Sequence, residues 1–96
     1  MIEIGQRVVV TTEYRGVFFG KLAVYGQAER FVTLHDARNC VYWPSSNRGF
    51  LGLATDGPLE GSRVGPAVAE IDLAGVTSVS ACSAVAVEKW QAGPWQ

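Results

Sequence analysis

Short runs of alternating or continuously apolar residues, punctuated by glycine, fill the first half of the chain. Gln6–Glu13 (QRVVVTTE) is rich in β-branched residues, follows Gly5, and predicts a first strand. Tyr14-Arg15-Gly16 predicts a tight turn in which Gly16 supplies the positive φ. Val17–Tyr25 predicts a second strand. Gly20 in its middle would weaken a flat strand, so it predicts a bend or bulge that curls a short sheet toward a barrel. Gly26–Arg30 is a polar connection of hairpin length. In Phe31–His35 the period of two sets Phe31, Thr33 and His35 against Val32 and Leu34. Asp36-Ala37-Arg38-Asn39 interrupts the alternation and Cys40-Val41-Tyr42-Trp43 resumes it. One bulged strand is favoured there over a hairpin turned at Ala37-Arg38-Asn39.

The second half is less regular. Within 44–66, Ser45-Ser46-Asn47 offers helix-capping residues, and Arg48–Ala54 predicts a short helix weakened by its two glycines. A connection this long in a small domain predicts a functional lid or a mobile loop. Val68–Leu73 and Val76–Ala81 predict a fourth and a fifth strand, with Gly75 bending the chain between them. Ala84–Trp90 fits either a short helix or an added strand, and Pro94-Trp95 is expected to tuck back against the body. The pattern predicts one domain over residues 1–96. It is all-β, with five strands and a long loop or short helix inserted after the third.

Composition supports a folded chain, with 48% apolar residues among 96. Charge excludes one class of partner. Eight Lys and Arg face nine Asp and Glu, with no run of like charge, so a monomer lacks the basic face that grips duplex DNA. No apolar run reaches membrane-spanning length, and the opening Met1-Ile2-Glu3-Ile4 does not read as a secretory leader, so a cytoplasmic location is expected. Cys40 and Cys82 are expected to be reduced, buried thiols.

Catalytic and metal motifs are lacking. His35 is the single histidine, and neither zinc spacing, nor a nucleophile motif, nor a phosphate-binding glycine loop accompanies it. No cofactor or metal is expected, and the reading is non-enzymatic. Neighbouring strand residues point to opposite faces, so His35-Asp36 is better explained as architecture with local hydrogen-bond partners than as an acid–base pair. The candidate ligand-binding set is Arg38, Asn39, Tyr42 and Trp43, with Arg48 and Arg15 joining from neighbouring loops. Forked guanidinium and amide groups meet phosphates and base edges, and aromatic faces stack on bases. Packing in the core or at a subunit interface outweighs ligand contact for Tyr42 and Trp43. Phe18-Phe19 puts one ring inward and one outward, a further hint of self-association.

Gly5 leading Val8 and Val10, then Gly16, Gly20, Leu22 and Leu34-His35-Asp36-Ala37 together resemble the first motif of Sm-like small barrels. The resemblance implies a five-stranded, strongly bent SH3-like or Sm-like barrel whose edge strands close a homo-oligomeric ring. It is weaker at the RNA site: Gln27, Arg30 and Phe31 stand where Sm proteins hold a base, and Ala67–Ala81 lacks a clear second motif. The N-terminal helix usual in that family is missing too. Leu22, Asp36-Ala37-Arg38, Trp43, Leu53-Ala54-Thr55-Asp56-Gly57, Glu70-Ile71 with Leu73 and Val76, and Pro94-Trp95 resemble a family of small uncharacterised phage and prophage proteins. That resemblance implies a phage protein acting in the host cytoplasm. The functional expectation is an oligomer that binds a small anionic nucleotide and sequesters a host immune signal. The alternatives are an RNA-binding ring and a structural or protein-interaction module.

Overall fold

The computed structural model describes residues 2–92. Its strands are β1 (Arg7–Thr12), β2 (Gly16–Gly26), β3 (Phe31–Tyr42), β4 (Arg63–Val64), β5 (Val68–Ala74) and β6 (Val76–Ala81). Its helices are α1 (Phe50–Thr55) and α2 (Ala84–Ala92), with single 3-10 turns at Glu13–Arg15 and Ser45–Asn47. All strand pairs are antiparallel, in the order β4-β3-β2-β1-β6, with β5 also paired to β3. Strand β3 is long enough to serve two neighbours on one side. Phe31–Ala37 pairs with β5, and Cys40–Tyr42 pairs with β4.

The bend that divides these two halves has two causes. Asp36 takes φ 51, which rotates the strand where the alternation breaks, so β3 is one bulged strand. Opposite it, Gly20 is skipped in the β2–β3 register between Phe19 and Lys21. A Cβ at Gly20 would stand 2.9 Å from Leu34 Cβ and 3.1 Å from His35 O, so glycine there allows the strands to close at the bend.

Two apolar layers follow from this curvature. Val8, Val10, Leu22, Val32, Leu34, Ala37, Leu73 and Val76 fill the concave interior of the barrel. Val9, Val17, Phe19, Cys40 and Val64 pack on the other side of the sheet, against Leu53 and Ala54 of α1 and Ala86 and Trp90 of α2. Val8, Val9 and Val10 are therefore all fully buried, and β1 reads as a continuous apolar run because both its faces are covered. Trp90 anchors the helical layer. Its ring stacks on Phe19 at 5.0 Å between centroids, 6° from parallel, and its indole N–H donates to Leu53 O at 2.9 Å.

Three expectations need correction. First, Tyr14 and Arg15 carry the positive φ angles of the β1–β2 turn (63° and 68°), whereas Gly16 begins β2 in extended geometry. Gly16 is needed for space, since a Cβ there would fall against the Thr12 side chain. Second, 44–66 is a folded insert and not a loose loop. Asn47 is fully buried, its amide N–H donates to Gly57 O at 2.8 Å, and its Oδ1 accepts from Leu59 N and the Ser62 hydroxyl. Third, that segment contributes a sixth strand, the two-residue β4. Ala84–Ala92 takes the helical alternative, and the expected docking of Pro94-Trp95 lies outside the described residues. With no helix before β1 among the described residues, α1 and α2 cover its outer face.

Among the described residues β4 and β5 bind only β3, and β6 binds only β1, so each of the three has an unpaired side. Strands β5 and β6 are consecutive in sequence and joined at Gly75 (φ 67).

Candidate functional site

The end of β3 emerges from the barrel between two chain segments. On one side is the β1–β2 turn with Arg15; on the other is β4, where Arg63 pairs with Tyr42. Cys40 and Trp43 turn inward, Cys40 into the helical-layer core and Trp43 partly packed against it. Val41 and Tyr42 are left 68% and 53% exposed. Tyr14 at the tip of the neighbouring turn is fully exposed. Its left-handed backbone, followed by another in Arg15, costs on the order of 1 kcal/mol per residue.

Two shallow depressions meet at Tyr42. One, of about 280 Å³, is lined by Arg15, Cys40, Val41, Tyr42 and Trp43. The other, of about 500 Å³, is lined by Val41, Tyr42, Gly61 and Arg63. Neither has an acidic side chain in its lining. Arg15 and Arg63 form no ion pair among the described residues, whereas Arg30 and Arg48 do. Two uncompensated guanidiniums thus flank an exposed aromatic ring. Chemically this surface can stack a planar ring on Tyr42 and place anionic groups on the arginines.

The residues singled out from sequence divide into two groups. Arg15, Tyr42 and Trp43 come together. Arg38, Asn39 and Arg48 do not join them. Arg38 donates through Nε to Gly65 O and through Nη1 to Trp90 O, each at 2.8 Å, and so ties β3 to the chain before β5 and to α2. Asn39 shares with Arg38 a smaller cleft of about 140 Å³, whose other walls are Phe18, Ala37, Pro66, Val68 and Ile71. Arg48 sits on the insert, where Nη2 meets Asp56 Oδ2 at 3.1 Å. Sequence reasoning missed Tyr14 and Arg63. The available signal for Arg63 was its place before Val64 and Gly65-Pro66, but a two-residue strand leaves no periodicity to read.

A separate groove of about 390 Å³ runs along the unpaired edge of β6, lined by Tyr25, Gln27, Arg30 and Val76–Val79. Arg30 fastens it: its Nε donates to Val76 O at 3.1 Å, its carbonyl accepts from Val76 N at 3.0 Å, and Nη2 lies 3.6 Å from Glu13 Oε1. Elsewhere, His35 Nε2 lies 3.0 Å from Glu70 Oε2 across β3 and β5, an exposed cross-strand pair in keeping with an architectural role. The cysteines are free. Burial pushes the Cys40 thiol up to about 11, opposed by a backbone hydrogen bond at Tyr42. Burial likewise pushes Cys82 to about 12, opposed by the nearby Arg7 charge. No cluster of three or more His, Cys, Asp or Glu suited to a metal occurs among the described residues.

A family described as Domain of unknown function (DUF6948) matches residues 5–90. The chain belongs to that family. The DUF6948 match spans the barrel, the insert and most of α2, so all these elements are part of the family's domain. No curated protein sequence matches the chain. Among solved structures, the DUF6948 fold is similar to a heptameric archaeal Sm protein, with a TM-score of 0.53 and 20% identity. The similarity covers 83% of this chain and 90% of that one. The fold is a small, bent, Sm-like β-barrel.

Proposed function

We propose that this DUF6948 protein is a non-enzymatic, self-assembling module that binds nucleotides. The observation that carries the reading is the exposed Tyr42 ring set between Arg15 and Arg63, neither ion-paired among the described residues, with Trp43 bordering one side. An aromatic face offers stacking to any base, and guanidinium forks suit phosphate. Local rather than overall positive charge matches a small anionic ligand in a chain of formal net charge -1.

Self-assembly is supported by the unpaired sides of β5 and β6. The Cys82 N–H bonds Arg7 O, and the antiparallel alternation then turns the Val79 and Ala81 N–H groups of β6 outward. An edge with outward donors pairs readily with another strand. Strand β5 of a second copy meets that need in a head-to-tail arrangement that can close as a ring. The Sm protein of similar fold is heptameric. Val79→Pro removes a central outward donor, and proline is tolerated on edge strands. Sedimentation velocity is expected to show an oligomer for the native chain and a folded monomer for Val79→Pro; a monomer in both contradicts the assembly.

In the sharper form of this reading, the protein sequesters a signalling nucleotide in the host cytoplasm and returns it unchanged, the role expected of a phage-encoded member. A thermal-shift series with mono-, di- and cyclic nucleotides tests binding, and recovery of intact nucleotide after denaturation separates sequestration from hydrolysis. A single-stranded RNA ring is the second reading. It is favoured by the groove at Gln27 and Arg30, the positions that the Sm-like motif aligns with base-holding residues. Affinity falling steeply with salt would distinguish it.

A further inference from the structure

We infer that the Tyr42 surface is a two-armed site that takes one base flanked by a phosphate on each side. This rests on the nucleotide reading above and specifies its ligand class. The two depressions share Val41 and Tyr42 and have no other residue in common, so Tyr42 is the ridge between them. Each depression supplies one arginine: Arg15 from the β1–β2 turn and Arg63 from β4. Arg15 reaches the Tyr42 surface from the β1–β2 turn, while Arg63 is the strand partner of Tyr42 on β4.

The two arginines thus approach Tyr42 from different chain segments, one from each depression. A mononucleotide with a single phosphoryl chain engages only one arm. A nucleoside carrying phosphates at both its 3′ and 5′ positions engages both, and so does a dinucleotide or an internal residue of a single strand. The left-handed turn sets where the Arg15 side chain leaves the backbone, and strand pairing with Tyr42 does the same for Arg63.

The test is calorimetric titration of the full chain with adenosine 5′-monophosphate, adenosine 5′-diphosphate and adenosine 3′,5′-bisphosphate, repeated with Arg15→Ala and Arg63→Ala. Both arginines are exposed, so neither variant removes core packing. The expected result is that the 3′,5′-bisphosphate binds about 10- to 100-fold tighter than the monophosphate and that each variant alone removes that advantage. The 5′-diphosphate, with its charge on one side, does not reproduce the gain. If the bisphosphate binds no tighter than the diphosphate, or Arg63→Ala leaves its affinity unchanged, the two-armed site is wrong while nucleotide binding stands. If no nucleotide binds, both fall. With the bisphosphate preference in hand, a cyclic dinucleotide and a six-residue single-stranded RNA separate the two natural sources of this chemistry. A gain that appears only for the RNA assigns the site to a strand interior, and a gain for both assigns it to the dinucleotide unit itself.

Discussion

Trp90→Phe probes the helical layer on which the site's framework depends. Trp90 is fully buried, stacks on Phe19, and donates its indole N–H to Leu53 O. That carbonyl lies near the end of α1, where the helix cannot satisfy it internally. Phenylalanine keeps an aromatic ring but deletes the donor, leaving a buried carbonyl unpaired at a cost of about 1–3 kcal/mol. Poorer overlap with Phe19 adds about 0.5–1.5 kcal/mol. The sum is centred on about 3 kcal/mol, a large share of the 5–15 kcal/mol typical of a domain. At about 4–8 °C per kcal/mol for a domain of this size, the midpoint should fall by roughly 10–25 °C. Urea unfolding followed by circular dichroism measures the change, with Val85→Ala on the exposed face of α2 as a control expected within about 0.5 kcal/mol. A Trp90→Phe loss below about 1 kcal/mol would refute the packing of α1 and α2 on the sheet.

Arg38→Ala should cost about 2 kcal/mol in the same assay, since it releases the Gly65 and Trp90 carbonyls, whereas Arg48→Ala, which breaks an exposed ion pair with Asp56, should cost less than about 0.5 kcal/mol. Equal effects would contradict the structural role of Arg38. The Cys40 thiol, raised to about 11 against an ordinary value near 9, keeps its proton in the folded chain longer than in the unfolded one. Its contribution is therefore full below pH 9 and is lost as pH rises toward 11, by about 2 kcal/mol at pH 11. Cys40→Ala should flatten that alkaline decline, and native protein at pH 8 should resist iodoacetamide at both thiols until it is unfolded. Rapid native alkylation of Cys40 would contradict its burial.

The strands were legible because their signals are local. The Val8-Val9-Val10 run, the period of two through Val32 and Leu34, and the glycine-marked turn at Gly75 each act within a few residues. The bulge at Asp36 could be seen as broken alternation. The insert was hard to read because its order comes from distant partners. Asn47 looks like a loop residue until Gly57, Leu59 and Ser62 converge on it, and no short-range pattern reports that convergence. The same limit divided the candidate site. Arg38 and Tyr42 are four positions apart on β3, yet the bent strand sends Arg38 to the Gly65 and Trp90 carbonyls and leaves Tyr42 on the surface. Arg63 comes beside Tyr42 only through the β3–β4 pairing, which sequence spacing does not display.

Nucleotide binding at Tyr42 is measured by calorimetric titration of the native chain and of Tyr42→Ala with the same nucleotide. Removing a stacking ring should cost about 1–3 kcal/mol, so the expected result is saturable binding weakened about 5- to 150-fold in the variant, with the fold unchanged. Binding of equal strength in both proteins, or none in the native chain, would contradict it.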